Sequence, residues 1–256
     1  MIWLRRFFTD LFGAYLDGFR VARALPWLFV ALVAWEFVQH VVEVRIGFFE
    51  SEAASRAVAQ DTTRIAFGWV KMLLVYVGGF FAIRYLAWGD GVQAMRPTPG
   101  TLLRYAPYVA YAMTLFALVF HARSLVAQDQ VMTFRMAVGL AQMAIEPLLI
   151  LWIVSAATSG AVRGPLQSAR LTGWLYIWAL LLFFVGRIPI NAAHQLLNKF
   201  AIGQPEAILW PMLVLDSVVV GLLIFIVPAL YVRIARFIAE RPAPAKAAGR
   251  RAAIGD

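Results

Sequence analysis

Six stretches of this chain are apolar for long enough to cross a lipid bilayer, and nothing else in the sequence constrains the fold as strongly. A hydrocarbon core about 30 Å thick takes roughly 20 residues of helix. The stretches are 25–44, 66–88, 105–121, 136–157, 173–194 and 208–232, the third being the shortest. They are continuously apolar, without the alternation of a barrel strand. Of the 256 residues, 62% are hydrophobic and 14% charged, against about 45–50% and 25% in soluble domains. The expected fold is all-α: a polytopic membrane helix bundle of six transmembrane helices over 24–238.

The flanks differ in character. In residues 1–23, Leu4, Phe7, Phe8, Leu11, Phe12, Tyr15, Leu16 and Phe19 recur at spacings of three and four. Arg5, Arg6, Asp10, Asp17 and Arg20 fall mostly on the other side, so the segment reads as an amphipathic helix. It is expected at the inner membrane interface with its aromatic face in the acyl boundary; the alternative is a cytoplasmic helix packed on the bundle or on a partner. Its long apolar run begins only at Ala24 and no small-x-small cleavage site follows, unlike a secretory signal. The tail, 239–256, is rich in Ala, Pro, Lys and Arg. It reads as a disordered cytoplasmic segment held near anionic lipid headgroups. Residues 51–64 read as a polar outer loop with room for a short helix.

Orientation follows from lysine and arginine outside the apolar cores. With the N-terminus inside, fifteen fall on the cytoplasmic side. Only Arg45, Arg56, Arg64, Arg123, Arg135 and Lys199 fall outside. The expected placement is a bacterial inner membrane with both termini cytoplasmic. The net charge of +9 is then explained by basic inner loops facing anionic lipid, and no nucleic-acid partner is expected. The chain has no cysteine, which excludes disulfides, thiolate nucleophiles and Cys-ligated zinc.

Charges inside the spans are the informative residues, since each costs at least about 2.5–3.5 kcal/mol on insertion scales. Glu36, Lys71, Glu146, Arg187 and Asp216 lie within the six stretches. Counting residues along each span puts all five between the midplane and the outer face. Glu36, His40 and Glu43 form one helical stripe at i, i+4 and i+7, and Arg187, Asn191 and His194 form another. Two such stripes suit a water-filled groove open to the outside, in which Glu36, Glu146 and Asp216 pair with Lys71 and Arg187 in an order the sequence leaves open. The competing reading is ion pairs that only hold helices together, although polar groups in spans return just about 0.6–2 kcal/mol each. Pro147, Pro189, Pro211 and Pro228 interrupt or kink their helices, and Gly78-Gly79 loosens the second span. Trp27, Trp88, Trp174, Tyr176 and Trp210 fall near span ends as interfacial anchors.

Motifs of catalysis are missing: HExxH, GxSxG, a Walker loop and GxGxxG do not occur. His40 with Glu36 or Glu43, plus His194 and Asp216, is the one N/O set with metal-ligand chemistry. No catalytic residue, cofactor or metal is assigned.

The run Gly164-Pro-Leu-Gln-Ser-Ala-Arg-Leu-Thr-Gly173 precedes a long apolar span. It resembles the S-x-x-L-T-x-G motif of the bacterial six-span glycerophosphoryl diester phosphodiesterase membrane-domain family, through Ser168, Leu171, Thr172 and, one position shifted, Gly173. The segment from Tyr15 to Pro26 is similar to that family's entry helix. In fused members hydrolysis belongs to a separate soluble barrel, so the resemblance implies membrane topology without phosphodiesterase activity. Read from the residues alone, Thr172 is a candidate helix N-cap.

The leading expectation is a non-enzymatic scaffold or accessory factor for another membrane component, in contact with lipid and with a membrane-protein partner. The alternative is a small transporter or proton-coupled carrier that uses the polar groove.

Overall fold

The computed structural model describes residues 2–240, and among them every regular element is helical. Most of the basic tail expected at 239–256 lies outside the described residues. Six helices are long and apolar enough to span: α2 (Pro26–Arg45), α4 (Thr62–Trp88), α6 (Pro99–Phe120), α8 (Val131–Thr158), α10 (Tyr176–Ala201) and α11 (Glu206–Ala239). Short helices connect them: α3 (Glu52–Ala57), α5 (Gly91–Ala94), α7 (Ala122–Leu125) and α9 (Pro165–Thr172). Before them all runs α1 (Ile2–Ala24).

Most boundaries extend beyond the apolar cores because caps lie outside them. The third span begins at Pro99, where Thr98 accepts from the Thr101 amide and proline occupies the first turn. Asp61 caps α4 at the Thr63 and Arg64 amides, and α4 ends at Gly89 in the left-handed conformation. The short helix expected in the outer loop is α3, capped by Ser51.

α11 is the hub. Of its apolar window 61% is buried, against 17–39% in the other five, and it meets α1, α2, α4, α8 and α10. At 1.5 Å per residue its 34 residues reach about 51 Å, longer than a bilayer core, and its last turns pack against α1. Small residues set its contacts. A Cβ at Gly186 would lie 2.6 Å from a Leu230 methyl, so α10 and α11 pack backbone to side chain. Gly186→Val is expected to lower the thermal midpoint of the purified protein, by the ~1–3 kcal/mol of an overpacked core. An unchanged midpoint would mean these helices do not meet there.

The prolines leave their helices unbroken, correcting the interruption allowed for above: Pro147, Pro189, Pro211 and Pro228 all lie inside continuous helices, as does Pro107. A serine of α9 bonds to the α8 backbone. Ser168 donates to the Leu148 carbonyl at 2.6 Å and accepts from the Trp152 amide at 3.2 Å. Its hydroxyl thus sits inside the i→i−4 ladder, one turn beyond Pro147. Thr172 does not cap a helix start. It ends α9 and donates back to the Ser168 carbonyl.

α1 packs with its polar side inward. Asp10, Ala14, Asp17 and Val21 are buried, while Leu4, Phe8, Phe12, Leu16 and Phe19 are exposed. Arg233 of α11 binds both carboxylates, at 3.3 Å to Asp10 and 2.6 Å to Asp17. Arg6 and Arg20 close the same network, and the Asp10 hydrogen bond raises the pKa of Arg6 above its ordinary value. The helix therefore both packs on the bundle and presents a continuous aromatic stripe outward. In water that polarity would be inverted; facing lipid it is the favourable one.

Arg84, one turn before the end of α4, is 3% exposed. It donates to the carbonyls of Ala94, Ala157, Gln93 and Arg96. These accept at loop and helix ends, where carbonyls lack intrahelical partners.

Candidate functional site

In α4, α6 and α8 close packing is concentrated in the half of the bundle beside α1. The buried side chains of α4 lie in 78–84, those of α6 in 101–112 and, apart from Val131, those of α8 in 146–157. Beyond these levels, toward the far side, the helices enclose a cavity of about 320 Å³. Its walls come from α4, α6, α8, α10 and α11. Five of the nine residues singled out from sequence line it: Lys71, Glu146, Arg187, Asn191 and His194. The other four, Glu36, His40, Glu43 and Asp216, are 0–3% exposed and form a network beside it.

Pairings that the sequence left open take this form. Lys71 Nζ lies 2.6 Å from Glu36 Oε1. His40 is held on three sides: Nε2 is 3.0 Å from Asp216 Oδ2 and 3.7 Å from Glu36 Oε1, and Nδ1 is 3.0 Å from Glu43 Oε2. Asp216 also meets His194 Nδ1 at 2.8 Å and accepts from Asn198 Nδ2 at 2.8 Å. Glu43 accepts from Arg64 at 3.0 Å and from Gln39 at 3.2 Å. A polar chain therefore runs Lys71, Glu36, His40, Asp216, His194, hydrogen-bonded except for the 3.7 Å ion-pair contact between Glu36 and His40, with its first and last members on the cavity wall. His194 also lines a second hollow of about 420 Å³ on the far side, with Arg64 and Asn198.

Glu146 anchors the other end of the cavity. Tyr231 donates to its Oε1, and Tyr108 does so at 3.2 Å. Gln142 reaches its Oε2 at 3.5 Å. Arg187 Nη1 is 3.9 Å from that oxygen, beyond hydrogen-bond reach. Asn191 turns back to donate to the Arg187 carbonyl. Tyr76 and Tyr105 complete an aromatic floor against Tyr108, at ring separations of 5.7 and 5.4 Å.

Charge counting constrains what this site holds. Glu36, Glu43, Glu146 and Asp216 are four carboxylates; Arg64, Lys71 and Arg187 are three permanent cations. One proton added to an imidazole would make the two counts equal. His40 favours carrying it, since both of its ring nitrogens face carboxylate oxygens and both donate only in the protonated form. Glu36, His40 and Asp216 offer ligand atoms within 4.8 Å of one another. They could ligate a metal ion only once Lys71 gives up Glu36 and the ring gives up its proton.

Sequence reasoning missed Arg64, Asn198 and the tyrosines around Glu146. Arg64 was assigned to the outer loop. The tyrosines are spread over three helices, with no spacing that links them to a carboxylate on a fourth.

Six apolar helices with charged groups buried among them define a multi-pass integral membrane protein. Comparison with known proteins finds no matching family model, no matching curated protein and no matching solved structure. The resemblance carried by 164–173 thus gains no support from a family match, while the six-span helical architecture stands.

Proposed function

We propose that this protein is a small proton-coupled carrier of the bacterial inner membrane, with both termini cytoplasmic and its cavity reached from the outside. The observation that carries this reading is the polar chain from Lys71 to His194, which starts and ends on one cavity and meets a second hollow at His194. Ion pairs that serve only as glue need no cavity beside them, and this one makes the scaffold reading the weaker of the two. The lysine and arginine bias supports the orientation, and the outward aromatic stripe of α1 supports its seat in lipid, with anionic headgroups near its arginines. A common origin with the six-span membrane-domain family would be compatible with this role and adds nothing to it.

Two imidazoles give the site capacity for two protons, and charge balance uses one. Around His40 stand Glu36, Glu43 and Asp216; around His194 stand Asp216 and Asn198, with Lys71, Arg64 and Arg187 on the shared walls. Entry of one further charge into the cavity is matched by one further proton on this network.

Proteoliposomes loaded with a pH-sensitive dye and challenged in turn with anionic, cationic and neutral organic solutes test the reading. The lumenal pH is expected to move with one solute class, and His194→Ala to abolish the response. A scaffold gives no pH change with any class.

A further inference from the structure

We infer that the cavity takes an amphipathic organic anion, a single oxyanion on an apolar body, and that Arg187 is the group that receives it. The inference rests on the carrier reading and names its substrate class.

Arg187 is a cation whose side chain has no hydrogen-bond partner among the described residues. A guanidinium has five N–H donors and no acceptor capacity, and within a span it is expensive to leave without partners. Every other cation of the site is hydrogen-bonded: Lys71 to Glu36 and Arg64 to Glu43. Among the described residues no acceptor lies within hydrogen-bond reach of the Arg187 side chain. Its contacts are the Glu146 oxygen at 3.9 Å and the Phe183 ring at 4.9 Å. Glu146 gives it an ion pair without a hydrogen bond: Tyr231 and Tyr108 donate to Oε1, Gln142 reaches Oε2 at 3.5 Å, and the guanidinium stops 3.9 Å from that oxygen. The Arg187 side chain is 32% exposed, and the residue lines the cavity. A planar fork left unfilled beside a cavity matches a carboxylate, sulfonate or phosphate-type oxyanion.

The rest of the wall supplies the second half of the specificity. Met72, Val75, Leu115, Phe116 and Val119 line the same space and suit an apolar body. A volume of about 320 Å³ is at the small end for ligand pockets, roughly 300–1,000 Å³, and fits a short single tail better than a two-chain lipid. Entry of a monoanion together with one proton leaves the site's net charge unchanged, with the anion paired to Arg187 and no covalent bond to carbon changed.

Octanesulfonate serves as the probe, because it stays ionised and does not cross bilayers as a neutral acid. A single thiol placed at Leu115 in this cysteine-free chain is labelled by an impermeant methanethiosulfonate in phosphatidylcholine nanodiscs, with and without submicellar probe. Octanesulfonate is expected to slow labelling and octyltrimethylammonium to leave it unchanged. Adding Arg187→Gln should weaken the protection about tenfold, the loss of one charge-assisted hydrogen bond, while the thermal midpoint stays near wild type. Equal protection by the cationic probe, or unchanged affinity in Arg187→Gln, overturns the inference and leaves the carrier reading intact. Protection by phosphatidylglycerol nanodiscs without probe overturns it in favour of a lipid headgroup. A thiol that never reacts in any condition overturns the carrier reading itself.

Discussion

Asp216→Ala is expected to destabilise the protein more than any other single change in the site, by on the order of 3–5 kcal/mol. The carboxylate is 0% exposed, and three donors from two helices converge on it: His40 of α2, and His194 and Asn198 of α10. Removing it leaves an imidazolium among the remaining carboxylates with its Nε2 donor unmatched, and frees α2 and α10 from their shared partner on α11. Glu52→Ala is the control. Its carboxylate is 3.8 Å from Arg56, and both side chains are 70–75% exposed, where pairs contribute about 0.2–1 kcal/mol. Thermal unfolding of the two variants in the same detergent checks the ordering. If Asp216→Ala unfolds no earlier than Glu52→Ala, the buried network is not what joins these helices.

The second large effect is on transport and separates carrier from scaffold. Glu36→Gln combined with Lys71→Met removes a buried pair at 2.6 Å as a unit. Buried pairs replaced together by neutral groups of similar volume often leave stability unchanged or higher, so the double variant is expected to insert and to unfold near wild type. It also cuts the polar chain between the cavity and His40. Proton-coupled uptake is expected to fall to the level of empty liposomes. A scaffold tolerates this paired neutralisation: full retention of partner co-purification with no transport in either protein would favour that role. Glu36→Gln alone should match the double variant in transport and fall below it in stability, since it leaves Lys71 without its carboxylate.

How much of this was visible in the sequence depended on whether the relevant neighbours share a helix. The six spans were legible because apolar runs of bilayer length have few other uses, and both polar stripes because i, i+4 and i+7 fall on one face whatever the helix packs against. Partners across helices were not legible. Arg64 is 21 positions from Glu43, and nothing in the composition of a polar outer loop says its arginine turns inward. Tyr108 and Tyr231 reach Glu146 from 38 and 85 positions away, and tyrosines in an apolar run look like packing or interface residues. Asp10 and Asp17 fall on the side of α1 opposite its aromatics, and an amphipathic helix normally turns its polar face from the protein. Here a single arginine on α11 reverses that preference. Ser168 illustrates the same limit at the backbone level: its hydroxyl bonds to the backbone of a helix 16 to 20 residues earlier in the chain.

The central claim is that a water-reachable cavity lies between α4, α6, α8, α10 and α11 on the side away from the termini. Single cysteines at Val75 and Asn191, on the wall, and at Leu181, half exposed on the outside of α10, test it most directly in sealed, oriented vesicles. The account predicts that a membrane-impermeant methanethiosulfonate applied from the side opposite the termini modifies the first two, and that Leu181→Cys, facing lipid, stays unmodified. Modification of none of the three, with all of them reactive after unfolding, would contradict the cavity and the carrier built on it.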